Sequence, residues 1–291
     1  MTRFRFVQDH HDAYPVKRLC ELVECSRSGF YAWRNRPLSD RYLADAELAN
    51  EIYNIHVASR RTYGSPRVWG QLGHRDRRVG RKRVARIMAE CGLVGVHGRR
   101  RWRRGKRTDT APGPDLIDRD FTAEASNQRW VADIAEFSCR DGKIYLAGIL
   151  DPHDRGLAGW SMSQRQTADI VVNALVMALA RRHPDGDLIH HADRGSQYTS
   201  LEFATSLADW GVAPSFGRTG VCWDNAAMES TWATVKKELR HIHGDLETMT
   251  RSQLRTALFD YIETFYNRQR HQARLKHRTP AEVYAASTMA A

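Results

Sequence analysis

Two β-rich runs that meet at Asp141-Gly142 constrain the fold of this chain more than any other part of it. Residues 128–137 and 143–150 are dominated by apolar and β-branched side chains. Asp-Gly between two such runs is a strong short-range signal for a tight hairpin. Residues 156–162 read as a third strand, so this region opens as an antiparallel meander. An alternation follows. Residues 168–182 place Ile170, Val171, Ala174, Leu175, Ala178 and Leu179 at helical spacing, and 188–192 is a short apolar run. Thr199-Ser200-Leu201-Glu202 reads as a capping box for a helix that stops at Gly211. Residues 212–216 form a further strand, and a last helix contains Glu229. Three consecutive strands followed by alternating helix and strand predict a mixed five-stranded sheet with helices on both faces.

Three carboxylates stand out in this framework. Asp133 is a lone acid inside the first hydrophobic strand, where Asp is rare unless paired or metal-bound. Asp193 follows the fourth strand at a Gly-containing turn into a helix, where open α/β sheets place their chemistry. Glu229 falls near the first turn of the last helix, for which Asp224 or Asn225 is the expected cap. Asn225, Glu229, Trp232 and Lys236 share a helical face, so a cation lies two turns beyond the acid on the same side. Three acids on separate elements suit hard divalent cations such as Mg²⁺, with Mn²⁺ as a substitute. Asp151 and Asp154 read as turn residues rather than further ligands. His190 and His191 face opposite sides of their strand, so at most one reaches the site.

The segments Trp130-Val131-Ala132-Asp133, His191-Ala192-Asp193-Arg194-Gly195-Ser196-Gln197-Tyr198, Asp224-Asn225-Ala226-Ala227-Met228-Glu229-Ser230 and Tyr266-Asn267-Arg268-Gln269-Arg270-His271 occur in that order. Thirty-five residues separate Asp193 from Glu229. This series resembles the motifs of bacterial insertion-sequence transposases of the IS-three family, in the product of the second reading frame. The resemblance implies a ribonuclease-H-like, retroviral-integrase-like α/β core. It also implies an Asp-Asp-Glu triad of Asp133, Asp193 and Glu229 that holds two Mg²⁺, with Asp133 as the bridge. The activity implied is hydrolysis at the ends of an element followed by transesterification into target DNA. Ala192, where the family often has Ser, and the direct Arg270-His271 junction depart from the pattern without touching a carboxylate.

Upstream of the core the chain reads as all-α. Residues 16–23 are helical in period, and Ser26 caps a second short helix through Phe30, Tyr31 and Trp33. This is a helix-turn-helix pattern with Arg27 and Ser28 opening its second helix; a plain helical hairpin is the alternative. Residues 41–56 place Leu43, Leu48, Ile52 and Ile55 on one stripe. Ser65 and Pro66 open another helix as cap and first residue, and 81–91 turns Val84, Ile87 and Met88 inward. Between Arg75 and Lys106 the sequence is dense in cations, among them Arg81, Lys82, Arg83, Arg86, Arg99, Arg100, Arg101, Arg103 and Arg104. Such like-charge density repels itself unless phosphate neutralises it, so double-stranded DNA is the partner expected, here and at Lys236. Part of this stretch, at Tyr63-Gly64 and Arg83-Val84-Ala85-Arg86-Ile87-Met88, also resembles the N-terminal segment of the same family.

The domain organisation expected is 1–38 as a helix-turn-helix-like segment, 39–107 as a basic helical DNA-binding region, 108–124 as a linker, 125–245 as the catalytic core and 246–291 as its helical extension. The net charge of +11 again points to a polyanion. Five scattered cysteines without a CxxC pair, no membrane-spanning run and no signal peptide give a cytoplasmic protein as the expectation, and the resemblance implies a bacterial, nucleoid-associated one. The resemblance implies at least a homodimer when two DNA ends are brought together, and a product of the upstream reading frame, fused or separate, as a further partner. Two other functions share some of these features: a catalytically silent DNA-binding regulator, and a metal-dependent nuclease without strand transfer.

Overall fold

The computed structural model describes residues 2–96, 123–217 and 226–289. The chain forms two compact units, Met1–Glu51 and Ile52–Ala291. In the first, helices α1 (Arg3–His10), α2 (Val16–Leu22) and α3 (Arg27–Arg34) close around Val7, Leu19, Cys20 and Phe30. The Ser26 hydroxyl accepts the Gly29 N–H at 2.9 Å, which starts α3 at its expected cap. Helix α1 was not legible as a helix, because its short apolar set gives no long stripe. Its Phe4 nevertheless packs on Phe30 and Trp33.

Helix α4 (Asp40–Ala58) buries Leu48, Ile52 and Ile55, whereas Leu43 is 48 % exposed. Leu43 precedes Leu48 by five residues, about 140° around the helix, and so leaves the stripe assigned to it. In the second unit, α5 (Ser65–His74) and α6 (Arg81–Glu90) follow. Gly64 is the N-cap of α5, so Ser65 is already helical and Pro66 sits in the first turn, one position later than expected. Helix α6 turns Val84, Ile87 and Met88 inward as its spacing dictates.

The sheet has five strands, β1 (Arg129–Cys139), β2 (Gly142–Leu150), β3 (Leu157–Ser163), β4 (Ile189–Ala192) and β5 (Ala213–Phe216), in the order β3-β2-β1-β4-β5. The first three pair antiparallel, and β4 and β5 join parallel to β1. Cys139 pairs with Gly142, so the residues at the tip of the hairpin are Arg140 and Asp141. The turn lies one residue earlier than Asp141-Gly142 suggests. Helix α7 (Ala168–Arg182) packs on β3 at Gly159, where an added Cβ would stand 2.2 Å from the Ala174 carbonyl oxygen. Helix α9 (Ala226–His243) packs at Gly148, where a Cβ would stand 2.6 Å from Trp232 Cη2. Gly159 pairs with Ile149, the neighbour of Gly148. Successive strand residues point to opposite faces, so α7 and α9 cover opposite sides of the sheet. Helix α8 (Leu201–Asp209) is capped by Ser200, whose hydroxyl accepts the Phe203 N–H at 3.3 Å. The cap is therefore one residue past the Thr199 of the expected capping box.

After α9 the chain returns through α10 (Arg251–Asp260), a π-helical continuation at Tyr261–Tyr266, and α11 (Pro280–Met289). The Tyr266 to His271 stretch is structural here. Arg270 donates to both carboxylate oxygens of Glu238 on α9, at 2.9 and 2.8 Å, and Tyr261 donates at 2.7 Å. Arg67 of α5 adds an ion pair at 3.2 Å. Burial alone would raise the Glu238 carboxyl, but its bonds to Arg270 and the two guanidinium charges hold it below the usual range. The Asn267 side chain accepts from the Leu157 N–H and donates to the Leu157 carbonyl, both at 3.0 Å, and so ties this stretch to β3. Among the described residues no helix is long and apolar enough to cross a membrane.

Replacing Arg270 by Met would leave the Glu238 charge buried beside one partly exposed guanidinium. Urea unfolding at pH 7 is expected to show a loss of about 3–5 kcal/mol. Arg270→Lys should recover only part of this, because an ammonium cannot reproduce the two-pronged bond.

Candidate active site

The site is set by strand register. Arg129, Trp130 and Val131 pair with Ile189, His190 and His191. Continued by two residues, that register lays Asp193, just past the end of β4, alongside Asp133. On its other side Asp133 pairs with Gly148 of β2. Because Gly148 has no side chain, the Trp232 ring of α9 comes down next to Asp133, on the face opposite α7. Trp130, on the α7 face, is buried in the core with Ala132 and Leu188. The alternation of β1 thus separates Trp130, Ala132 and Ile134 on one face from the acid on the other.

Asp133 is half-buried, whereas Asp193 and Glu229 are exposed. Burial first, and then the charges of Asp193 and Glu229, push the Asp133 carboxyl up to about 7. All three carboxylates expected from the sequence are therefore close enough to couple. The Asp193 side chain also accepts the Gly195 N–H at 3.0 Å, which fixes the turn that follows β4. Lys236 lies with its Nζ 5.1 Å from the centre of the Phe137 ring, on the face of β1 that Asp133 occupies. Burial and Arg240 push its ammonium below the usual lysine range, while Asp133 and Glu136 pull it back.

The donor set is all oxygen and anionic, which suits a hard divalent cation, and the part of the rise at Asp133 that comes from Asp193 and Glu229 is what such a cation would offset. In type and charge the residues fit. As placed, no three His, Cys, Asp or Glu side chains among the described residues already surround a metal-sized point.

The neighbouring candidates take other roles. His190 is buried against Phe203, with ring centres 5.2 Å apart, and burial pushes it down to about 3, so it stays neutral. His191 faces the other way and its Nδ1 lies 2.9 Å from Ser215 Oγ. Asp151 accepts the N–H groups of Asn127 and His153, and Asp154 accepts that of Gly156. These are turn bonds, reinforced by Arg182, which lies 2.5 Å from Asp154. Two aromatic residues near the carboxylates were not singled out for that role by the sequence. Tyr198 is buried with its hydroxyl unpaired, and burial, Asp133 and Asp193 together raise it well above the usual phenol range. Trp232 is buried with its indole N–H also lacking a partner.

Of the expected DNA contacts, Arg27, Arg81 and Lys82 are exposed and Arg83 and Arg86 are half-buried. Arg81 lies over the Trp69 ring at 5.5 Å, and Arg86 pairs with Glu90 at 2.8 Å. Arg99, Arg100, Arg101, Arg103 and Arg104, the linker around Pro112, and Trp223, Asp224 and Asn225 lie outside the described residues.

In the metal-free protein a carboxyl raised in the folded state opposes folding. Its penalty is absent below the unfolded carboxylate value near 4 and grows as pH rises towards 7. Asp133→Asn is therefore expected to stabilise the metal-free protein at pH 7.5 by about 2 kcal/mol, discounted for partial solvent access, and to leave stability at pH 4 nearly unchanged. Urea unfolding of both proteins in chelator at the two pH values measures this.

Comparison with known proteins agrees with this architecture. A family model described as Integrase core domain matches residues 123–222, and a second of that description matches 210–280. A model described as HTH-like domain matches residues 43–101. The Insertion element IS600 uncharacterized 31 kDa protein of Shigella sonnei is 37 % identical over 265 residues, which cover 90 % of this chain and 96 % of that one. The transposase InsF for insertion sequence IS3A of Escherichia coli is 32 % identical over 274 residues, covering 93 % and 94 %. Among solved structures, the magnesium complex of the HTLV-2 integrase catalytic core domain aligns with a TM-score of 0.47 at 16 % identity. It covers 56 % of this chain and 99 % of that domain.

Proposed function

The chain belongs to the family of insertion-sequence transposases that includes the IS3 transposase InsF, and from that membership we propose that Asp133, Asp193 and Glu229 are the carboxylates with which it cuts and joins DNA. The protein is a DNA transposase with an integrase core, a polynucleotidyl transferase of the Asp-Asp-Glu class. The observation that carries the assignment of residues is the register that sets Asp133 beside Asp193, with the charge of Glu229 on α9 acting on Asp133.

Divalent cations such as Mg²⁺, two per site, would polarise an attacking hydroxyl and offset charge on the leaving oxygen. The protein's own part is to supply the field. Asp133, held mid-strand, fixes the floor of the site; Asp193 enters from the turn after β4; Glu229 enters from the first turn of α9. Lys236, on the same side, holds the phosphodiester by charge so that nucleophile and leaving group stay in line. The first displacement uses water and frees a 3′-hydroxyl at an element end. The second uses that hydroxyl against target DNA, with one phosphodiester bond broken for each one made. The protein forms no covalent intermediate.

DNA is engaged upstream. The region 39–107, with Arg81, Lys82, Arg83, Arg86 and the arginines from Arg99 to Arg104, lies along phosphates, while α3 with Arg27 serves as a reading helix for the terminal repeats. Residues 125–245 carry the chemistry and 246–291 brace it. Two ends must be held together, so the active species is at least a dimer, and a product of an upstream reading frame completes it where the element encodes one.

Two experiments test this reading. With a labelled duplex carrying the element's end and Mg²⁺ or Mn²⁺, the wild type should yield a 3′-hydroxyl and joined products. Glu229→Gln and Asp193→Asn should each lower the rate at least a hundredfold while still binding the duplex. Cleavage without joining would make the protein a nuclease, and binding without cleavage, even with the upstream product added, would make it a regulator. Separately, Lys82→Ala should weaken binding to end and random duplexes alike and lower the salt dependence of log K by about 1 in slope, as expected for one lost phosphate contact.

A further inference from the structure

The geometry points to Trp232 as a positioning residue for Asp133, its indole N–H being the donor that orients this carboxylate towards the metal site. Three observations meet here. Trp232 lies one turn after Glu229 on α9 and is only 4 % exposed. Its ring edge is seated over Gly148, with Cζ2 and Cη2 at 2.7 and 2.6 Å from where a Cβ would be. Gly148 is the strand partner of Asp133. Cζ2 is bonded to the carbon that carries Nε1, so the contact at Gly148 brings the N–H edge of the indole to the strand pair that holds the acid.

That N–H is buried and has no hydrogen-bond partner at normal geometry. An indole nitrogen can only donate, and a buried donor of this kind needs an acceptor. Trp232 also favours the charged form of Asp133. A carboxylate that is ionised and drawn to a cation is the better acceptor, so the bond tightens when the site is charged. Outer hydrogen bonds of this kind orient ligating carboxylates and tune affinity. Because the same helix carries Glu229, Trp232 also ties the third carboxylate's element to the first carboxylate's strand.

The inference rests on the reading of Asp133 as a metal ligand, and the experiment separates the two. Mn²⁺ binding to the full chain is measured by calorimetry for wild type, Asp133→Asn, Trp232→Phe and Gly148→Ala. Trp232→Phe keeps the ring and removes the N–H, whereas Gly148→Ala keeps the N–H and displaces it. Each should weaken Mn²⁺ about tenfold, and Asp133→Asn should weaken it further. In parallel, ¹H–¹⁵N spectra of the tryptophan indoles are recorded for wild type with and without Mg²⁺ and for Asp133→Asn. The resonance missing from Trp232→Phe should move in Asp133→Asn and again on adding Mg²⁺, an effect that loss of packing alone would not produce. Unchanged Mn²⁺ affinity in a folded Trp232→Phe overturns the inference. So does the absence of any moving indole resonance in Asp133→Asn, which decides the matter even where Trp232→Phe does not fold. If instead Asp133→Asn binds Mn²⁺ like wild type, the metal reading fails, and the indole resonance in metal-free protein still decides whether Trp232 holds Asp133.

Discussion

A carboxylate placed in the middle of a covered sheet strand governs the rest of this molecule. Asp133, half-buried on β1, is less open to water than a terminal or loop acid would be, so its neighbours have to make its charge tolerable. The sheet does this by keeping one side of Asp133 short. Gly148 opposite it leaves a gap into which α9 can descend, and β4 ends at Ala192, so that Asp193 emerges beside Asp133 rather than inside the sheet. The cost of these choices is a carboxyl that burial first, and then the charges of Asp193 and Glu229, hold above the usual carboxylate range. Stability alone would favour an apolar residue there, as β1 has on its other face with Trp130, Ala132 and Ile134.

The second requirement is that α9 stay put, because it carries Glu229 at its start and Lys236 two turns on. Met228, Val235 and Leu239 are buried along it, and Trp232 is seated at Gly148. Directional bonds at Glu238 add to that anchoring. Its two oxygens are taken by Arg270 and Tyr261 from the returning chain, and Arg67 reaches the same carboxylate from α5. The residues after the sheet thus brace the helix that carries Glu229. The π-helical turn at Tyr261–Tyr266 fits this role, since it sets Tyr261, Phe265 and Tyr266 inward together and delivers Arg270 to Glu238.

Most of the fold was legible because its signals are local. Strand alternation, the Ser26 cap, the helical stripe of α7 and the stop at Gly211 each depend on a few adjacent residues. The three carboxylates were legible for a different reason, as acids in places where acids need an explanation. What could not be read was what depends on register. Centring the hairpin on Asp141-Gly142 pairs Asp133 with Leu150, whereas the observed tip at Arg140-Asp141 pairs it with Gly148. One residue of error in the turn moves the partner by two, keeps the face correct and conceals the gap that admits Trp232. Arg270 illustrates the same limit. Its motif announced importance, but no local rule indicates that its partner is a glutamate thirty-two residues upstream on another helix.

The division of labour among elements also bears on how such a site is switched on. Each carboxylate arrives on a separate piece of backbone: a mid-strand position, a turn after a strand, and the first turn of a helix. None of the three is produced by local structure alone, so the charge cluster exists only when β1, β4 and α9 are all in place. In the metal-free protein the charge of Asp133 is itself unfavourable to stability, and a cation would offset it. The stabilising work is therefore displaced to neutral or paired contacts at a distance, the Gly159 approach of α7 on one face and the Glu238 bonds on the other. Neither of these contacts involves the Asp133, Asp193 or Glu229 carboxylates, so the charge of the site is kept apart from the contacts that anchor its elements.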